Sequence, residues 1–222
     1  VRRICEYVSE YMMWNGDYDF TSSAPMAKVF SDARGSSADI NLMLLAMLRE
    51  AGIQSDPVIL STRDHGLINP LFAIISKFNN VIVSVMADGR RWLVDATDPV
   101  RPFTMLPEDC LNGEGWLVSE AGGEWINLSN GEHHGETVSL VMQLDEDGSL
   151  SGTAINVYES YDAWLVRKFC TLQGEEAYRD FMQASKPGWK ISGLELENLG
   201  ELGQPVTETI RMTIHDGSQT GY

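Results

Sequence analysis

The chain has 222 residues, 43% of them hydrophobic, and sets 16 Lys and Arg against 32 Asp and Glu for a net charge of −16. That length lies between one large domain and two small ones, and the apolar share is enough to build a core. The acidic balance repels phosphate backbones and anionic headgroups, which argues against a nucleic-acid partner, and no apolar run approaches the ~20 residues needed to cross a bilayer.

The first predicted element is a helix from Arg2 to Trp14 with Ile4, Tyr7, Val8, Tyr11 and Met12 on one face, stopped by Asn15-Gly16. Helical turns at Met26 to Phe30 lead to Arg34-Gly35-Ser36-Ser37-Ala38-Asp39-Ile40-Asn41. Within it, Ser36 to Asp39 has the form of a capping box, in which a serine hydroxyl accepts from a backbone N–H three residues on and the acid answers it. The helix behind carries Ile40, Leu44, Met47 and Leu48 on one face, broadened by Met43 and Leu45, and Gly52 is its stop. Pro57 to Thr62 reads as a strand. Val81 to Ala87 and Arg90 to Ala96 read as a hairpin joined by Asp88-Gly89, with Val81, Val83 and Val85 on one face and Asn80, Ile82 and Ser84 on the other. A loop-rich stretch through Leu111 to Gly115 then leads to a strand at Glu124 to Leu128.

The polar run Ser129 to Glu136 reads as a linker, which divides the chain into residues 1–129 and 130–222. Beyond it, strands at Val138 to Leu144 and Leu150 to Val157 are joined by an Asp145-Glu146-Asp147-Gly148 turn. Helices at Asp162 to Cys170 and Glu175 to Ala184 follow, then strands at Lys190 to Leu196 and Thr207 to Ile214. A small α+β domain with an antiparallel sheet accounts for this order.

Gly35-Ser36-Ser37, Asn80 at the start of the hairpin and Trp92-Leu93-Val94-Asp95 near its end together resemble the core of the transglutaminase-like superfamily, relatives of the papain-like cysteine peptidases. The resemblance covers residues 1 to about 127 and implies an α+β fold with a helix packed on an antiparallel sheet. In that family a Gly-x-Cys motif begins the helix, a His begins a strand and an Asp ends the next. The matching positions here are Ser37, Asn80 and Asp95, with gaps of 43 and 15 residues. The second region resembles, more weakly, the small domain that follows such cores in large bacterial proteins of unknown role. On that reading it is incomplete here, and the chain, which begins without Met, is expected to be a fragment of a longer exported protein, periplasmic or secreted, with flanking domains.

The substitutions bear directly on chemistry. A cysteine at a helix N-terminus is favoured as thiolate by the macrodipole, a histidine handles its proton, and an aspartate orients the imidazole. A serine hydroxyl stays protonated at neutral pH and needs a base, which an asparagine amide cannot be. The triad positions therefore read as degenerate, and the expectation is a non-catalytic domain that binds a peptide or glycan chain or acts as a scaffold, without a cofactor. The competing expectation is an amidohydrolase or acyltransferase using Ser37 with an unrecognised base. Trp14 and Asn15, which precede the motif, and His65, the one histidine of the first region, are candidate cleft-lining residues. Cys5, Cys110 and Cys170 fit neither a disulfide framework nor a zinc spacing and read as ordinary thiols. His133-His134 in the linker and the Asp145 to Gly148 turn read as a polar linker and a turn, so no metal site is expected.

Overall fold

The computed structural model describes residues 1–215 apart from 73, 121 and 130. It divides into two compact units, Val1–Gly131 and Glu132–Tyr222. Each mixes helices with an antiparallel sheet.

In the first unit α1 spans Arg2–Tyr11, three residues short of the expected end. Met12 turns extended, and Met13–Trp14 (β1) pairs in parallel with Arg34–Gly35 (β2). The buried face also differs from the sequence reading: Cys5, Val8 and Met12 go inside, while Tyr7 and Tyr11 stay exposed. Large rings can bury area by stacking at the surface, and Tyr11 stacks on Tyr7 and on Phe30 of α2 (Met26–Asp32) at 5.8 and 4.7 Å.

The helix α3 spans Ser37–Glu50 and buries Ile40, Met43, Leu44, Leu45 and Leu48 against Val83, Val85 and Val94 of the sheet. Five strands follow in chain order: β3 (Ser55–Leu60), β4 (Asn80–Ala87), β5 (Arg90–Val94), β6 (Glu114–Ser119) and β7 (Gly122–Asn127). Their order across the sheet is β5-β4-β3-β6-β7. The β4–β5 hairpin turns on Asp88 and Gly89, both at positive φ, as the Asp-Gly dipeptide predicts. The strand β6 is absent from the sequence reading because Gly113 and Gly115 make it look like a loop; its pairing with β3 and β7 makes it a strand.

The opposite face of β4 is covered as well. Ile82 packs with Val58, Leu60, Leu106 and Cys110 in a second apolar cluster. As a result every residue from Asn80 to Val85 is buried.

The second unit is built as β8 (His134–Leu144), β9 (Leu150–Glu159), α4 (Ser160–Gln173), α5 (Glu175–Ser185), β10 (Trp189–Glu197) and β11 (Val206–Ile214). The sheet order is β10-β11-β9-β8, antiparallel throughout. One face of the sheet, with Ala154, Leu194, Val206, Ile210 and Met212, packs on Ala163, Val166, Tyr178 and Met182 of the helices. Among the described residues no helix is long and apolar enough to cross a membrane.

Candidate functional site

The start of α3 is assembled as its sequence requires. Ser36 caps the helix, its hydroxyl accepting from the Asp39 N–H while the Asp39 carboxylate accepts from the Ser36 N–H at 3.0 Å. Gly35 must lack a side chain, because a Cβ there would lie 2.5 Å from the Asp39 Cβ. Asp39 collects four further bonds: Ser22 Oγ at 2.7 Å, Ser23 N at 2.9 Å, Ser23 Oγ at 2.7 Å and Ser36 Oγ at 3.2 Å.

Burial pushes the Asp39 carboxyl up, but the bonds from Ser22, Ser23 and Ser36 outweigh it and hold the pKa down at about 2, against an ordinary 3.8. A folded-state pKa below the unfolded one stabilises the fold above the unfolded value, and that stability is lost as pH falls toward the folded value. Between about pH 4 and pH 2 the first unit is expected to lose about 2 kcal/mol on this account. Urea melts across that range test it: Asp39→Asn should remove this part of the pH slope, and an unchanged slope would place the acid sensitivity elsewhere.

Ser37, the first residue of α3, is fully buried. Its N–H donates to the Asp17 carbonyl at 3.0 Å. Its hydroxyl accepts from the Asp19 N–H at 3.0 Å and donates to the Asp19 carbonyl at 3.2 Å. Both capacities of the Ser37 hydroxyl are thus spent on backbone.

Trp14 and Asn15 shape the segment that makes these bonds. The Trp14 indole donates to the Asp17 carbonyl at 3.0 Å and its ring lies 5.1 Å from that of Tyr18. Asn15 Oδ1 accepts from the Asp17 N–H at 2.9 Å, and the Asn15 N–H donates to Gly35. Instead of lining an open cleft, these two residues build a strap, residues 15–20, over the helix start. His65 is elsewhere: it sits exposed in a short 3-10 turn, with Nε2 3.3 Å from the Ser76 carbonyl.

Asp95 is the centre of a buried network. One carboxylate oxygen accepts from Arg101, from the Thr97 hydroxyl at 2.5 Å and from the Thr97 N–H at 3.1 Å. The other accepts from the Asn41 amide at 2.8 Å. That amide also donates to the Val81 carbonyl at 2.9 Å, and Asn41 Oδ1 accepts from the Ala96 N–H at 3.0 Å. Asn41 lies one helical turn beyond Ser37, so it joins the first turns of α3 to the start of β4 and the end of β5. The Arg101 guanidinium is itself buried, with Asp98 3.9 Å away.

Asn80 shares the face of Ile82 and Leu60, away from the valines that meet α3. Its Oδ1 accepts from the Val81 N–H at 2.8 Å, and its Nδ2 donates to the Cys110 sulfur at 3.1 Å. Burial, and next the Asp95 carboxylate, push the Cys110 thiol well above its ordinary pKa. Burial, then Cys110, Asp109 and Asp95, push the Tyr18 phenol up likewise. At Cys110, Arg101 and the Asn80 amide donor pull the other way, but burial and Asp95 outweigh them, which favours the thiol over the thiolate that a nucleophile needs.

Ser37, Asn80 and Asp95 are thus all buried, but none bonds to another: Ser37 is bonded to the strap, Asn80 to Cys110, and Asp95 to Arg101 and Asn41. Sequence reasoning missed Asn41, Thr97, Arg101 and Tyr18 and passed over Cys110. The available signals were a lone amide in an apolar helix at Asn41, and a basic residue six positions after Asp95. A surface groove of the same unit, lined by Arg49, Asp56, Arg91 and Glu124, contains none of the triad positions, and its arginines pair with Asp56 and Glu124. Among the described residues no group of three or more His, Cys, Asp or Glu is placed to hold a metal ion. Comparisons with protein-family models, curated proteins and solved structures find no match for the chain.

Proposed function

We propose that the first unit is a transglutaminase-like domain that does not catalyse and serves as a scaffold within a larger exported bacterial protein, with the second unit as an appended α+β domain. The observation that carries this reading is the pair of hydrogen bonds between the Ser37 hydroxyl and the Asp19 backbone beneath the strap, with Ser37, Asn80 and Asp95 at 0%, 0% and 2% exposure. A ligand chain needs an accessible groove, and a nucleophile needs both a base and a free line of attack. The strap denies each of these at Ser37. Scaffolding is accordingly favoured over peptide or glycan binding in an inherited cleft. The assignment to an exported protein rests on the resemblance of the sequence alone.

A serine-reactive fluorophosphonate is expected to leave Ser37 unlabelled in the folded chain, and incubation with an amine donor and a glutamine peptide should transfer nothing. Ser37→Cys combined with Asn80→His should stay silent as well, since Asp95 remains held by Arg101 and is not available to orient an imidazole at position 80. Labelling at Ser37 that disappears in Ser37→Ala would sink this reading in favour of a working acyltransferase or hydrolase.

A further inference from the structure

The sheet of the second unit ends on two unlike edges. On one side β10 carries Lys190, Glu195 and Glu197, and its register with β11 shifts between Ile191 and Gly193. Charges and bulges of this kind discourage an edge from pairing with another chain. On the other side β8 is 11 residues long, and ten of them hold unbroken register with β9, from Gly135↔Glu159 to Leu144↔Leu150. From Thr137 to Leu144 it has no charge, no proline and no glycine. Val138, Leu140, Val141 and Leu144 are exposed by 59%, 52%, 75% and 69%.

We propose that β8 pairs antiparallel with β8 of a second copy of this chain, joining the two sheets into one. The pattern of the strand selects this partner. Pairing centred on Leu140 sets Val138 opposite Met142, Ser139 opposite Val141, Thr137 opposite Gln143 and Glu136 opposite Leu144. The apolar pairs Leu140 with Leu140 and Val138 with Met142 form the centre on one face, and no two like charges face each other. The same register carries the His133-His134 end of each copy toward the other's Asp145-Glu146-Asp147 turn, imidazole donors toward carboxylate acceptors. A parallel pairing would instead set Glu136 against Glu136 and the acidic turns against each other, which cross-strand like charges disfavour.

The helical layer fits the same arrangement. Residues opposed across an antiparallel pair share a face, so Val138, Leu140 and Leu144 lie on the side of Ala154, which α4 and α5 cover. In the joined sheet both copies keep their helices on one side, with α4 packed on β8 in each.

Light scattering or sedimentation equilibrium of the whole chain at micromolar concentration is expected to give twice its mass of 24.7 kDa. Val141→Lys and Leu140→Lys, both at exposed positions, should each weaken the dimer about tenfold or more with unchanged circular dichroism. Lys190→Glu on the opposite edge should leave it intact. In a Cys170→Ser background, Leu140→Cys should form a disulfide-linked dimer on mild oxidation, since residue 140 meets its own copy. A chain that stays monomeric overturns the proposal. So does a dimer that survives both lysine substitutions, or one in which Leu140→Cys fails to cross-link.

Discussion

Arg101→Ala is expected to destabilise the first unit by about 3–5 kcal/mol, the cost of stranding a buried charge. Arg101 and Asp95 are both almost wholly buried, and the carboxylate also holds Thr97 and Asn41, so the loss spreads to α3 and to the start of β4. Truncation leaves the anion with donors on Thr97 and Asn41 but without a counter-charge. Replacing both partners by neutral groups, Asp95→Asn with Arg101→Met, should recover a large part of the loss, because a buried pair pays desolvation on both sides. Hydrogen exchange read on peptides from residues 37–50 and 80–96 measures this in the first unit alone. A change below about 1 kcal/mol would put the pair in the class of surface bridges and remove Asp95 as the organising residue.

The second large effect is expected in the other unit. Arg167 of α4 is buried, and its guanidinium donates to four backbone carbonyls: Leu199 at 3.2 Å, Asn198 at 3.1 Å, Glu201 at 2.8 Å and Gln204 at 2.6 Å. The connection from β10 to β11 is thus held from the helix side by this one guanidinium, while Asn198 Nδ2 donates to the Pro205 carbonyl at 3.1 Å within it. Burial lowers the Arg167 pKa, yet a guanidinium keeps its charge at any ordinary pH. Arg167→Ala frees four carbonyls from their charged donor and is expected to cost about 3 kcal/mol, with faster hydrogen exchange across residues 198–206. Arg167→Lys should rescue little, because a single ammonium cannot reproduce the fork that reaches carbonyls spread over seven residues, 198–204. Full rescue by lysine would mean that charge alone, and not geometry, holds the loop.

Where local chemistry dictated conformation, the sequence was readable. The capping box, the Asp-Gly hairpin and the apolar stripe of α3 each follow from a few adjacent residues, and each is present as expected. The order of strands and helices in the second unit was legible for the same reason. Features set by distant residues were not. Trp14 left its helix because β2 offers it a partner twenty-one positions away, and β6 exists because β3 and β7 flank it. At the candidate site, residue types could show that positions 37 and 80 carry a serine and an asparagine, without a thiol or an imidazole. They could not show that Arg101 would claim Asp95, that Cys110 would sit against Asn80, or that residues 15–20 would close over Ser37. His65 illustrates the same limit, since the only histidine of the first unit lies on an outer turn.

The bonds between Ser37 and Asp19 also bear on what a reactive group at position 37 would require. A hydroxyl that accepts and donates to the same residue acts as a latch, and serine suits it because oxygen is small and forms strong bonds in both directions. Sulfur is larger and a weaker partner in each role, so a cysteine at 37 would loosen the strap before it could attack anything. Acquiring a nucleophile and uncovering it are therefore coupled at this position. A directed search for activity should randomise residues 15–20 together with 37, 80 and 101, since the lid and the latch share the same atoms.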